Sequence, residues 1–171
     1  TKDNVQLAAG DNLLDYLPHG THAAAAAKVA AWAAQNRSAL AAVSTPTGSV
    51  KLHMPIPRPN KLFLLAGNYA EHIREGGGVA AERAETFPYV FMKPPSTTLI
   101  DPGATVKIPS VSPGAIDWEL ELAVVIGQRC KHVKEADALK VVAGYAVIND
   151  ISDRKFKPNP GRKLRDRDKF F

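Results

Sequence analysis

The stretch Ile116-Asp117-Trp118-Glu119-Leu120-Glu121-Leu122-Ala123-Val124-Val125-Ile126 most constrains what this chain can become. Its first half alternates polar and apolar residues and its second half is wholly apolar. A two-residue period is the signature of a strand with one covered face, and the apolar end calls for cover on both faces. A second apolar run, Val141 to Ile148, ends in Asn149-Asp150 and reads as another strand. The chain is therefore built around a sheet.

The rest of the composition sets limits. With 171 residues the chain fits one ordinary domain, or one domain with a small appendage. At 45% hydrophobic and 23% charged residues it is globular rather than disordered. A single cysteine, Cys130, excludes an internal disulfide and a Cys-rich zinc site and suits a reducing compartment. Cys130-Lys131-His132 links a strand to a helix, and neighbours in a turn rarely reach nucleophile–base geometry. The longest apolar stretch, Ala23 to Ala34, is mostly alanine and is interrupted by Lys28, too weak for a membrane span or a signal peptide. The expected setting is the cytoplasm, with no membrane partner. The chain starts at Thr1 rather than Met, as if a few leader residues were missing.

The net charge of +5 has a location. Residues 154–169 carry eight basic side chains and two acidic ones, so the remainder is near neutral. This segment has no groove-reading or stacking motif around it, and the expectation is a solvated surface stretch rather than a nucleic-acid footprint.

Texture changes along the chain. His22 to about Val43 is dense in alanine, the best helix former, with Trp32, Leu40 and Val43 as its expected buried face. Met54-Pro55-Ile56-Pro57-Arg58-Pro59 is an extended connector, because proline fixes φ and removes donors. The boundary falls near residue 57: a small helical module over 1–57, then a β-rich domain over 58–171. Within the latter, strands are expected at 61–67, 89–93, 104–108, 116–126 and 141–148. Helices are expected at 69–75, 79–86 and 135–139. The fold class is α+β.

Two groups carry chemistry. Glu119 and Glu121 share one face of their strand, with Cβ atoms about 7 Å apart, while Trp118, Leu120 and Leu122 take the opposite, core face. Asp150 is a third acid at the end of an apolar strand, where a carboxylate is costly unless paired, exposed or metal-bound. Three carboxylates without histidine or thiol spacing suit Mg²⁺ or Mn²⁺. From spacing alone, an amphipathic strand whose glutamates face water is the more ordinary reading. In Gly67-Asn68-Tyr69-Ala70-Glu71-His72-Ile73-Arg74-Glu75, His72 and Glu75 are i,i+3 neighbours on a helix, as an acid/base pair or a casual surface ion pair. Gly76-Gly77-Gly78 beyond it would let the helix move as a lid. His19, His22 and His53 have no partners at metal spacing and are read as surface residues.

These residues together resemble the fumarylacetoacetate hydrolase family. The matching stretches run in order through Pro55–Lys61, Gly67-Asn68-Tyr69-x-x-His72-x-x-Glu75, Phe91-Met92-Lys93-Pro94, Asp117–Gly127, and Ala143-Gly144-Tyr145-x-x-x-Asn149-Asp150-x-Ser152-x-Arg154. The resemblance implies a mixed β-roll or β-sandwich catalytic domain, usually a homodimer. It implies a divalent-metal enzyme in which Glu119, Glu121 and Asp150 hold Mg²⁺ or Mn²⁺ and His72 with Glu75 forms the acid/base pair on a lid. Typical substrates are short 2-oxo acids with a further carbonyl, which the metal would chelate while His72 activates a water; C–C cleavage leaves an enolate. The same chemistry serves lyases and isomerases, such as oxaloacetate decarboxylation. Lys93 and Tyr69 are candidate substrate contacts, and Arg154 is expected to tie Asp150 or a neighbouring turn.

Family members generally continue into a glycine-lysine pair and a glycine- and threonine-rich stretch, whereas this chain stops at Lys169-Phe170-Phe171. Lys169 lacks the preceding glycine and does not take that role. The expectation is the N-terminal portion of a catalytic domain, with open sheet edges and exposed apolar surface. A non-catalytic fragment with a basic binding tail is the alternative to an enzyme.

Overall fold

The computed structural model describes residues 13–80, 85–87, 89–155 and 161. The basic segment beyond Lys155, and residues 81–84 of the helix expected at 79–86, lie outside these residues. The chain divides into two compact units. One holds the described residues up to Pro46 and from Gly103 onward; the other is Thr47–Pro102. Both mix helix with antiparallel strand pairs.

In the first unit, α1 (Ala23–Gln35) and α2 (Arg37–Ala41) replace the single helix expected over 22–43. The break lies at Asn36, whose side-chain amide donates to the Trp32 carbonyl at 2.8 Å. That carbonyl is the one the Asn36 backbone N–H would take in a continuous helix; the N–H turns to Ala33 instead. The expected buried face is not buried: neither helix contains a buried residue, and Val43 is 77% exposed. Alanine side chains bury little area each, so local propensity rather than packing accounts for this helix.

The main ladder pairs β4 (Leu120–Ile126) with β5 (Val142–Asn149), antiparallel, with Leu120 opposite Asn149 and Val124 opposite Tyr145. A shorter ladder pairs β3 (Ile116–Asp117) with β6 (Ser152–Asp153). The strand expected over 116–126 is thus interrupted at Trp118-Glu119, where side chains substitute for the ladder. Asp117 Oδ1 accepts the Trp118 N–H at 2.9 Å, and Asn149 Oδ1 accepts the Glu119 N–H at 3.0 Å. The chain changes partner there, from β6 to β5. Beyond β4 the strands close tightly: a side chain on Gly127 would place its Cβ 2.5 Å from Ala143 Cβ and 2.7 Å from the Pro18 carbonyl oxygen. A 3₁₀ helix, Glu135–Val141, leads into β5, where a short helix was expected.

The two faces of β4 are reversed from expectation. Trp118 and Leu120 are each 67% exposed, and Leu122, Val124, Ile126, Tyr145 and Val147 are exposed with them. The side carrying Glu121, Ala123 and Val125 is the more covered one. Residues 104–108 form no strand, having no ladder partner among the described residues.

In the second unit β1 (Phe63–Ala66) pairs antiparallel with β2 (Tyr89–Met92), and Leu64 is buried between the exposed Phe63 and Leu65. Gly67 ends β1 at φ +69°, a left-handed conformation that favours glycine, and α3 (Ala70–Glu75) follows within three residues. A short helix, α4 (Pro95–Thr98), begins at the proline pair that stops β2. The proline-rich connector forms bends and no strand. No helix among the described residues is long and apolar enough to cross a membrane.

Candidate functional site

The antiparallel register of β4 and β5 sets the acidic site. Leu120 faces Asn149, so the next residues outward, Glu119 and Asp150, fall side by side. The Asp150 N–H donates to the Glu119 carbonyl at 2.9 Å, and the Asn149 side chain holds the Glu119 N–H. The backbone carrying two of the acids is thereby pinned from both directions. Glu121 enters two residues further along β4 on the same side. One carboxylate oxygen from each of Glu119, Glu121 and Asp150 lies within 4.8 Å of the others.

These acids are not on an open face. Asp150 is only 3% exposed, and the Glu119 side chain 14%. Carboxylates that close repel one another, and burial removes the water that would screen them. Cationic compensation is therefore needed, and part of it comes from Arg154. Its Nε donates to Asp117 Oδ2 at 3.0 Å, and its Nη2 stands 3.0 Å from Glu119 Oε1 as an ion pair. The expected tie from Arg154 to Asp150 or a turn is thus a tie to Asp117 and Glu119. An all-oxygen donor set of three converging carboxylates fits a hard divalent cation such as Mg²⁺ or Mn²⁺.

The second group belongs to the other unit. His72 and Glu75 share one side of α3, with Nδ1 and Oε2 3.7 Å apart and the side chains 56% and 78% exposed. At that distance the pair is an ion-pair contact, longer than a hydrogen bond. Tyr69 precedes the first turn of α3 and is exposed. Lys93 extends the β1–β2 ladder through its N–H to the Leu62 carbonyl at 3.3 Å, with a half-buried side chain.

One pairing escaped the sequence. His53 is exposed, as expected, but it has a partner. Its Nδ1 lies 2.6 Å from Asp101 Oδ2, and Asp101 Oδ1 accepts the Met54 N–H at 3.0 Å. The Met54 N–H, then His53, hold the Asp101 carboxyl below the usual carboxylate range. The two residues stand 48 positions apart, and no local spacing could signal them. In the first unit, His19 Nε2 donates to the Lys140 carbonyl at 2.8 Å, and His22 stacks on Tyr16.

Comparison with known proteins gives a consistent result. A family model described as fumarylacetoacetate (FAA) hydrolase C-terminal matches residues 61–169. An uncharacterised protein of Pyrococcus horikoshii is 42% identical over 106 residues, covering 62% of this chain and 44% of that protein. The mitochondrial oxaloacetate tautomerase Fahd2a of Rattus norvegicus is 35% identical over 118 residues, covering 69% of this chain and 36% of that protein. Among solved structures, a protein provisionally called HpcE from Mycobacterium smegmatis matches with a TM-score of 0.54 and 32% identity, over 68% of this chain and 40% of that one. The chain spans less than half the length of these relatives.

Proposed function

The chain belongs to the fumarylacetoacetate hydrolase family, and from that premise we propose that it acts in divalent-metal-dependent hydrolysis of a C–C bond in a short 2-oxo or diketo acid, of the acylpyruvate or fumarylpyruvate kind. The observation that carries this reading is the convergence of Glu119, Glu121 and Asp150, from two strands, to within 4.8 Å. In it, those three carboxylates hold Mg²⁺ or Mn²⁺, and the bound ion supplies Lewis-acid polarisation of the substrate's oxygens.

The remaining work falls to side chains. His72 accepts a proton from the water that adds to the distal carbonyl, and Glu75 steadies the ring and its charge. The C–C bond breaks with its electron pair moving toward the 2-oxo fragment. A proton from His72 then completes that fragment, so the products are a carboxylic acid and a 2-oxo acid. Lys93 and Tyr69 contact the substrate's charged and polar ends. The reading includes a β-roll catalytic domain preceded by a helical module over 1–57, and a cytoplasmic homodimer.

A second reading has its own support. The rat relative is named for tautomerising oxaloacetate, a proton transfer between carbon and oxygen with no bond to hydrolyse. The same residues serve it, with His72 moving the proton. Incubation of the protein and Mn²⁺ with acylpyruvates and with oxaloacetate separates the two. Release of the acyl group as a free acid is the expected result. Enol–keto interconversion without acid release would replace hydrolysis by tautomerisation, and CO₂ release would indicate a decarboxylase.

A further inference from the structure

Arg154 follows β6, and its backbone N–H is fixed on the Ala115 carbonyl at 2.8 Å. From there its guanidinium reaches back across the point where β3 gives way to β4, meeting Asp117 and Glu119 at 3.0 Å each. Asp117 is itself anchored, since its other oxygen holds the Trp118 N–H. The Glu119 backbone is pinned by Asn149 and Asp150. A glutamate side chain ordinarily loses several rotamers when it binds an ion. Here the guanidinium of Arg154 already stands against this one as an ion pair at 3.0 Å, which narrows the directions it can take.

We infer that Arg154 is a positioning residue of the carboxylate site, with Asp117 as its charge partner. This rests on the metal reading above. Two effects of the guanidinium oppose each other. Its positive charge disfavours a nearby cation, whereas its hold on Glu119 presents that carboxylate in a fixed direction. Asp117 decides between them. It lies outside the converging trio and offsets much of the guanidinium charge, so orientation is what Arg154 contributes to the site. Partners that orient a ligand in this way are generally worth about 10–100-fold in metal affinity. Only a planar fork spans both carboxylates; an ammonium is a point charge and would serve one.

The test is Mn²⁺ titration of the full chain by calorimetry or paramagnetic resonance, beside Arg154→Gln, Arg154→Lys and Asp117→Asn. Arg154→Gln should weaken Mn²⁺ binding about 10–100-fold, and Arg154→Lys should fall between it and the parent. Asp117→Asn should also weaken binding, because it uncovers the arginine charge, and the double variant should lose less than the two separate losses combined. Unchanged or tighter Mn²⁺ binding in Arg154→Gln would overturn the inference. So would a raised KM at unchanged Mn²⁺ affinity, which would make Arg154 a substrate contact. Should Arg154→Gln fail to fold by circular dichroism, Asp117→Asn carries the test alone: unchanged affinity there refutes the pairing. Absence of Mn²⁺ binding by the parent protein would instead overturn the metal reading itself.

Discussion

The two groups proposed to do chemistry both draw on carboxylates but are assembled in opposite ways. His72 and Glu75 come from one turn of one short helix, 3.7 Å apart and largely in water. Glu119, Glu121 and Asp150 come from two strands about 30 residues apart, tied by backbone and side-chain hydrogen bonds and half or fully covered. The local pair needs almost nothing from the fold, and it is correspondingly weak as an ion pair: exposed pairs contribute about 0–1 kcal/mol. The strand site needs the register, the partner switch at Trp118-Glu119 and the reach of Arg154. In return, its charges act on one another through less water. Burial and long-range hydrogen bonding separate the strand site from the helix pair.

Asp150→Asn tests that difference at its largest. It keeps the shape and removes one charged donor, so Mn²⁺ affinity should fall by more than the roughly 100-fold that loss of an outer partner costs. The melting temperature of the metal-free protein should not fall, because crowded buried carboxylates oppose the fold that holds them. Retained Mn²⁺ affinity would remove Asp150 from the site. His72→Ala should do the reverse: Mn²⁺ affinity within about twofold of the parent, and turnover lower by about 10²–10⁴, the usual worth of a general base. Undiminished turnover would take the base role from His72.

How far each group could be read from sequence follows the same division. The His72–Glu75 spacing became α3 with little change, since i,i+3 neighbours meet on any helix. The two-residue period correctly placed Glu119 and Glu121 together, and the end of β5 placed Asp150 beside them. The same period gave the wrong covered face. Hydropathy assigns Trp118, Leu120 and Leu122 to the interior, yet they are the exposed side of β4 among the described residues. Alternation reports which residues share a side; which side is covered depends on what packs against it, and that is not local information. The strand expected at 104–108 failed for a related reason, since a β-prone segment is a strand only when it finds an edge. Asn36 shows a finer limit. One side-chain amide competing for one carbonyl divided a helix that propensity made continuous.

Glu75→Gln probes the weak side of the comparison. Both side chains are more than half exposed, so thermal stability should change by no more than about 0.5 kcal/mol. Turnover should fall by about tenfold or less, short of the His72→Ala loss, because glutamine still offers the ring a polar neighbour but no charge. A loss as large as that of His72→Ala would mean that the pair closes to a true hydrogen bond during turnover.

The His53–Asp101 pair lies between the extremes: partly exposed, with side chains 63% and 26% in water, but assembled from 48 residues apart like the strand site. Its contribution should be present at neutrality and lost in acid. The Met54 N–H and His53 hold the Asp101 carboxyl below its ordinary value, so the folded state favours the ionised form more than the unfolded chain does. That contribution is complete above the unfolded value, about pH 4, and is lost as pH falls through the lower folded value. Asp101→Asn cannot titrate there. Its melting temperature should lie slightly below the parent's near neutrality, and the gap should close as pH falls below about 4. Parallel acid limbs for the two proteins would show that the 2.6 Å contact does not persist in solution, and that only the strand site converts long-range geometry into energy.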